Sequence, residues 1–381
     1  MTFYTKRKRN ARGDAARTFR EFCGTGPGAG RRYFDSTIVR VRCEPYDPVQ
    51  VLHVILPSLA AIWRGTMLAL GLAAIVPMGA GDLRPRPNPA KDYADAVGRA
   101  RHLIAADDSI VAEGGATILR AHGYRTPRAV VLLHGFTDSP RQFAELADSL
   151  YQAGDNVIVP RLPRHAIRGK TVKELSGLSA GELCRAADTG VDIAAGLGDS
   201  VVVLGLSIGG TLALWSAEHR SEVRRAVIIA PPFDVTAVPQ ILERPLVNLS
   251  SHVPNVSRRS SPDSTRPDRL PGWASHALAQ VIRLGMAVRH DADHATPTSP
   301  ELLFLVNAHD HTVKTAPVLD VARAWHRRGA PASVYEIPDS LGLPHNIVDP
   351  MNMRPNLETI LPLMRRLAHG DDAPAWVAVR R

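Results

Sequence analysis

The chain has 381 residues, and it contains few cysteines and few lysines. Cys23 and Cys43 lie near the N-terminus and Cys184 stands alone, so the spacing excludes a disulfide framework and a zinc site built on paired thiols. Only six of the 46 basic residues are lysine, and the others are arginine. Aromatic residues make up 5% of the chain, but the hydrophobic content of 45% is enough to bury a large core.

The excess of positive charge is concentrated at the N-terminus. Residues 1–50 carry eleven basic and five acidic residues, a net +6 of the total +9, so the remaining chain is nearly balanced. The basic run KRKRNARGDAARTFR lacks the interleaved aromatic residues and the helix-turn-helix pattern that accompany nucleic-acid binding. We therefore expect no nucleic-acid partner and a disordered leader over residues 1–50.

No uncharged run reaches the roughly 20 residues that a membrane-spanning helix needs. Residues 48–63 and 65–81 are uncharged for 16 and 17 residues, and Arg64 separates them. The second run resembles the apolar part of a signal peptide or anchor with a positive flank, which predicts export or membrane association through residues 51–81. Two alternatives stay open: a buried N-terminal helix, or a chain that starts within this run, at Met67, and is cytoplasmic.

Beyond residue 82, apolar runs alternate with amphipathic segments. This alternation predicts one α/β domain over residues 82–381, with a mostly parallel sheet covered by helices on both faces. The predicted strands are 116–124, 128–136, 156–163, 200–207, 224–232, 301–310 and 332–338, and the predicted helices are 138–154, 180–197, 209–219, 315–328 and 350–368.

The alternation stops after Pro232, over residues 233–300. An insertion of this length between sheet elements is usually functional or disordered, and we expect a lid. Helical periodicity returns near its end, where Leu278, Ile282 and Met286 either pack as core or line a substrate pocket.

A serine interrupts the apolar run VVVLGLSIGGTLALWSAEHR, residues 201–220. Taken alone, a Gly-x-Ser-x-Gly sequence is consistent with an ordinary turn. It also fits a strained strand-to-helix elbow that holds a nucleophile, here Ser207. Asp310 and His345 follow other predicted strands, so an acid and a base would meet the serine at one edge of the sheet.

Other residues compete for these roles. His309 and His311 are alternative bases, and Asp339 is an alternative acid. His134 is expected to be a structural histidine. Arg161, Arg164 and His165 form a loop that either lines the pocket or is solvated.

Two runs resemble metal ligands, His-Asp-Ala-Asp-His at 290–294 and His-Asp-His at 309–311. Both are expected in polar loops. Because hydrolytic zinc sites usually need three well-placed protein ligands, we assign no catalytic metal and no metal-site residues here.

Four short motifs together carry a family resemblance: HGF at 134–136, GLSIGG at 205–210, DHTV at 310–313 and PHNI at 344–347. With them, residues 86–368 resemble bacterial α/β-hydrolases of the carboxylesterase and monoacylglycerol lipase type.

The resemblance implies an α/β-hydrolase fold with a lid and a serine hydrolase acting on small-molecule esters without a cofactor. It also implies Ser207 as nucleophile, Asp310 as acid and His345 as base. The backbone N–H groups of Phe136 and Ile208 would form the oxyanion hole. A peptidase or thioesterase of the same fold, or a non-catalytic binding module, remains the alternative.

Overall fold

The computed structural model describes residues 64–68, 71–72, 79, 81–169, 171–234, 238–259, 266–295 and 301–380, excepting the side chains of 351–356. The chain divides into residues 1–61 and 62–381, and the description falls in the second unit. The predicted leader over 1–50 and most of the segment 51–81 lie outside the described residues. Among the described residues, no helix combines the length and the apolar character needed to cross a membrane.

Strands and helices alternate along the described chain. The helices are α1 (Tyr93–Asp108), α2 (Ala144–Gln152), α3 (Ala180–Leu197), α4 (Ile208–His219), α5 (Gln240–Ser250), α6 (Ser275–His294), α7 (Thr315–Arg327) and α8 (Pro350–His369). The strands are β1 (Ile118–Arg120), β2 (Thr126–Leu133), β3 (Asn156–Val159), β4 (Gly198–Leu206), β5 (Val223–Ile229), β6 (Ser257–Arg259), β7 (Gly272–Ala274), β8 (Glu301–Asn307), β9 (Ala332–Ile337) and β10 (Ala378–Arg380).

Eight of these strands form one sheet in the order β1-β3-β2-β4-β5-β8-β9-β10. The six inner strands are parallel, and the short edge strands β1 and β10 pair antiparallel with β3 and β9. Since parallel strands joined by helical crossovers need helices on both faces, the sheet is buried on both sides. The predicted mostly parallel α/β fold is confirmed.

Strand β2 illustrates how both faces of the sheet are covered. Ala129, Val131 and Leu133 point to a core that includes residues of α3 and α4. Val130 and Leu132 point to the opposite core, which includes residues of α2 and α8. A strand with this continuous aliphatic run has two buried faces, because successive side chains alternate between them.

The segment between β5 and β8 contains the two described helices α5 and α6 and the hairpin of β6 and β7. One side of α6 packs into the main core, with Val281 and Leu284 buried there. Its other side, around Ile282, packs against Val247 of α5. Helix α6 is therefore packed on two sides. Leu278, Ile282 and Met286, expected either in the core or in a pocket, belong to the contact with α5.

Two local predictions are wrong. The helix predicted over 138–154 begins later, because a 3-10 turn at Pro140–Phe143 precedes α2, and the Ser139 hydroxyl donates to Asp268 at 2.5 Å. The run at 290–294 was expected in a loop, yet it forms the last turn of α6. A tertiary hydrogen bond of Ser139 explains the first difference. The helical periodicity that precedes residue 290 explains the second.

Candidate active site

Ser207 lies between β4 and α4 with φ 58° and ψ −123°. This is a conformation that side-chain-bearing residues adopt only when the surroundings enforce it. The surroundings here are two backbone contacts: a Cβ at Gly205 would lie 1.9 Å from the Gly209 carbonyl oxygen, and one at Gly209 would lie 1.9 Å from that of Leu133. Glycine at both positions allows the sharp turn, which agrees with the predicted elbow.

The loop after β2 runs directly beside this serine. A Cβ at Gly135 would lie 3.7 Å from the Cβ of Ser207. Phe136 follows in this loop, and Ile208 begins α4, where helix geometry leaves the first N–H groups without an internal acceptor. Among the described residues, neither the Phe136 nor the Ile208 N–H has a backbone acceptor outside regular elements. Both predicted oxyanion-hole donors therefore lie near Ser207. Ile208 is its neighbour in the chain, and Phe136 follows the glycine that faces it.

Asp310 and His345 are brought together at the ends of β8 and β9. The His345 Nδ1 lies 2.6 Å from the Asp310 Oδ2, and the exposed fractions of the two side chains are 20% and 2%. The Asp310 Oδ1 also accepts the backbone N–H of Thr312 at 2.7 Å. Burial raises the pKa of Asp310, but the His345 contact and these backbone donors outweigh it and hold the pKa below its ordinary value.

The pairing fixes the orientation of the imidazole. Because a carboxylate only accepts hydrogen bonds, the His345 Nδ1 carries the proton and Nε2 is left for another partner. Ser207 Oγ has no hydrogen bond to His345 among the described residues. Catalytic contacts of this kind are often long in the absence of substrate.

The rival residues are placed elsewhere. His309 Nδ1 lies 2.8 Å from the Asp339 Oδ1, and both side chains of this pair are largely exposed, at 42% and 73%. His134 is fully buried, donates from Nδ1 to the Gly135 carbonyl and accepts the Leu162 N–H, as expected for a structural histidine.

The basic loop after β3 is tied into the fold. Arg161 pairs with Asp107 of α1 at 2.8 Å, and Arg164 pairs with Glu182 of α3 at 3.1 Å. The His165 ring lies edge-on to Phe136, with centroids 5.9 Å apart, and burial lowers its pKa to about 4. Of the three, His165 is the residue that reaches the loop beside Ser207.

Sequence reasoning missed a polar network that joins three loops at this edge. Gln142 accepts the Gly135 N–H at 2.7 Å and donates to Asn346 at 2.9 Å. Asn346 follows His345 in the chain, so one glutamine connects the loop beside Ser207 to the loop that holds the histidine.

The same network includes a buried arginine from the insertion. Arg266 pairs with Asp138 at 3.1 Å, Asp268 at 2.6 Å and Asp349 at 2.5 Å. Burial and the Asp349 charge raise the pKa of Asp138 to about 6 although Arg266 opposes the shift. Arg266 lies up to 128 residues from these three partners in the sequence, and no periodicity or motif indicates the contacts.

A strained serine beside backbone donors, with a carboxylate–imidazole pair two strands along the same sheet edge, defines the architectural class of α/β hydrolases. The sequence model of the Alpha/beta hydrolase family matches residues 130–377, and the chain belongs to that family.

Two relatives illustrate the similarity. The chain is 31% identical over 112 residues to a thermostable monoacylglycerol lipase of Bacillus sp. strain H-257, a match that covers 29% of this chain and 44% of that protein's length. A solved structure from work on the metagenome-derived lipolytic enzymes LipS and LipT superposes with a TM-score of 0.54 at 18% identity. It covers 68% of this chain and 99% of its own, and at this identity the likeness shows the fold.

Proposed function

We propose that the protein is a serine hydrolase of carboxylic esters that works through an acyl-enzyme on Ser207. The observation that carries the proposal is the buried Asp310–His345 pair at the sheet edge that also bears the strained serine. The pair leaves His345 Nε2 to take the serine proton while Asp310 stabilises the imidazolium that forms.

The chemistry proceeds in two steps. The Ser207 oxygen attacks the ester carbonyl, and the N–H groups of Phe136 and Ile208 stabilise the oxyanion of the tetrahedral intermediate. The alcohol leaves with the proton from His345. Water, deprotonated by the same histidine, then attacks the acyl-enzyme, and the acid leaves as His345 returns the proton to the Ser207 oxygen. No step requires a cofactor.

The substrate class we favour is a lipophilic ester such as a monoacylglycerol. One support is the similarity to a monoacylglycerol lipase over 112 residues. Another is α5 of the insertion, which exposes three aliphatic side chains, Ile241, Leu242 and Leu246. Exposed apolar surface of this kind suits contact with an apolar ligand or aggregate.

The activity is tested with a set of substrates that differ in the bond to be cleaved. We expect hydrolysis of a short-chain p-nitrophenyl ester and of a monoacylglycerol, with little cleavage of an aminoacyl anilide or an acyl thioester. Preference for the anilide or the thioester would identify a peptidase or a thioesterase. The S207A variant is the control, and retention of more than about a thousandth of the wild-type rate would contradict the assignment.

We place the catalytic domain at residues 82–381, with residues 233–300 as its lid. Asp82 pairs with Arg283 of α6, and the Leu83 carbonyl accepts the Trp215 indole N–H at 3.1 Å. A protein that lacks residues 1–81 is expected to be folded and active. Loss of activity in that protein would mean that the deleted segment packs on the domain.

Export or membrane attachment through residues 51–81 stays a prediction from sequence. Fractionation of cells that express the full chain tests it. Recovery of the full-length protein in the soluble cytoplasmic fraction would overturn the prediction.

A further inference from the structure

A second group of ionisable side chains lies at the other end of α4. Glu218 and His219 are the last two residues of this helix, and Asp291 belongs to the last turn of α6. One ligand atom from each of the three lies within 4.8 Å of the other two. At 1.5 Å per residue the cluster is about 17 Å along the helix from Ser207, so it is separate from the candidate active site.

Glu218 is a buried carboxylate that forms no ion pair among the described residues. It is 5% exposed, and neither carboxylate oxygen has a hydrogen-bond partner among the described residues. The Trp325 indole N–H favours the charged form, but it does not meet hydrogen-bond geometry and is itself unpartnered. An isolated buried carboxylate is strongly unfavourable, so this group requires a proton or a cation.

His219 is oriented toward the same point. Its Nδ1 lies 2.9 Å from the Trp215 carbonyl oxygen, and because a carbonyl only accepts, Nδ1 carries the proton. The other nitrogen, Nε2, lies 3.6 Å from the Asp291 Oδ2, which is too long for a hydrogen bond. An imidazole whose Nδ1–H is held by a carbonyl while Nε2 faces carboxylates has the arrangement of a metal-binding histidine.

Two of the four arginines that line the neighbouring cavity are paired with other acids. Arg283 pairs with Asp82, and Arg289 pairs with Glu243. Both arginines line a cavity of about 470 Å³ that His219 and Asp291 also line, which provides a route from solvent. Two carboxylates and one imidazole therefore converge on one point beside an accessible cavity.

We propose that Glu218, His219 and Asp291 bind a divalent transition-metal ion that clamps α4 to α6. The imidazole favours zinc-like ions over calcium or magnesium, which prefer oxygen ligands alone. Three protein ligands leave room for water in the fourth position of a tetrahedral zinc site. The site is structural, because it is remote from the serine.

The competing occupant is a proton. In that case Glu218 is neutral and His219 is an imidazolium that forms an ion pair with Asp291. The two occupants predict different responses to zinc, so one experiment separates them.

The experiment is zinc titration of the full-length, EDTA-treated and dialysed protein, followed by calorimetry and thermal unfolding. We expect a site of one Zn²⁺ per chain and a zinc-dependent increase in Tm. E218Q and D291N are expected to weaken binding by more than the roughly 10–100-fold that loss of an outer partner costs. H294N is the matched control, because His294 is exposed at the end of α6, bonds the His290 carbonyl and does not belong to the cluster, and it should bind like the wild type.

Cobalt provides a direct readout of the ligands. Co²⁺ bound by these side chains should give visible d–d absorption that E218Q abolishes and H294N retains. Without metal, E218Q should be at least as stable as the wild type, because the wild type must take up a proton to bury Glu218 and the amide needs none. The proposal is overturned if the wild type gains no stability from zinc, or if E218Q and D291N bind Zn²⁺ as tightly as the wild type. D291N keeps the test valid if E218Q fails to fold, since Asp291 is partly exposed.

Discussion

Two carboxylate–imidazole pairs in this molecule have the same nitrogen–oxygen distance and similar burial, and they lie at opposite ends of the strands of one sheet. In the first, Asp310 and His345 are 2.6 Å apart with side chains 2% and 20% exposed. In the second, Asp155 and His369 are also 2.6 Å apart, with side chains 1% and 16% exposed. Distance and burial therefore do not distinguish a candidate catalytic pair from a structural one.

The pairs differ in the nitrogen that contacts the carboxylate, Nδ1 in His345 and Nε2 in His369, and in their position along the strands. Asp310 follows β8, at the carboxyl edge where Ser207 and the proposed oxyanion-hole donors also lie. Asp155 precedes β3, at the amino edge, and it is also bonded by Arg128 at 3.0 Å. Ligands of open parallel sheets bind outside the carboxyl ends of the strands. The end of the strands at which a pair lies is therefore a better guide to its function than its distance and burial.

The largest expected effect comes from removing each histidine in turn. H345A should lower kcat by roughly 10³–10⁴-fold or more, because the general base is lost, while the protein stays folded. H369A should leave kcat unchanged and lower the free energy of unfolding by about 1–3 kcal/mol, because a buried acceptor loses its donor. Steady-state kinetics and urea denaturation of both variants measure this. Equal losses of kcat in H345A and H369A would contradict the different roles given to the two pairs.

The two acids that compete for His345 give the next effect. D310N should lower kcat by up to about 10⁴-fold, because an amide no longer holds the imidazole in the required tautomer. D339N removes an exposed partner of His309 and should leave kcat unchanged, since exposed pairs contribute roughly 0–1 kcal/mol. A kinetic loss in D339N that exceeds the loss in D310N would reassign the acid.

Two buried arginines extend the comparison to the loops at each edge. Arg220 bonds Asp188, Asp192 and Glu222, while Arg266 bonds Asp138, Asp268 and Asp349. Either arginine changed to methionine should cost about 3–5 kcal/mol of unfolding free energy, because buried carboxylates lose their counter-ion.

Only one of these two variants should also affect catalysis. Arg266 holds the loops that carry Phe136 and His345, so R266M should also lower kcat/KM of the folded fraction. R220M should not, because its partners lie away from the serine. Kinetics at a temperature well below both Tm values, with the folded fraction measured by circular dichroism, separates the two effects. An unaltered kcat/KM in R266M would show that the network serves stability alone.

The smallest effect concerns pH. The Asp138 pKa is raised to about 6, so the folded state binds this proton more tightly than the unfolded state does. The native protein is therefore destabilised as pH rises from about 4 to 6. D138N abolishes this titration, and its stability relative to the wild type should increase by about 2 kcal/mol between pH 4 and pH 7. Urea midpoints across this range measure the difference, and a constant difference would contradict the shift.

Much of the fold was predictable because its strands are continuous aliphatic runs with clear helix punctuation between them. The residues VVVLGL before Ser207 form β4 to within two residues of the predicted start, and the helix over 180–197 has the predicted bounds. The strand β10 was missed because three residues are too short to show a period.

The candidate site was predictable only in part. The elbow has a local signature, since its glycines are required by contacts within five residues or with the adjacent strand. The choice between Asp310 and Asp339, and the roles of Gln142 and Arg266, depend on contacts between loops that are far apart in sequence. Glu218 gave no signal either, because a glutamate near a helix end reads as a solvated residue until its burial is known.

The most direct test of the account is covalent labelling of the wild-type protein with a fluorophosphonate, followed by mass spectrometry of the intact chain and of its peptides. We expect one label per chain on Ser207, loss of ester hydrolysis in proportion to labelling, and no labelling of S207A. H369A should label like the wild type, and H345A should label far more slowly. Labelling of another serine, or equal labelling of S207A, would contradict the assignment of the nucleophile.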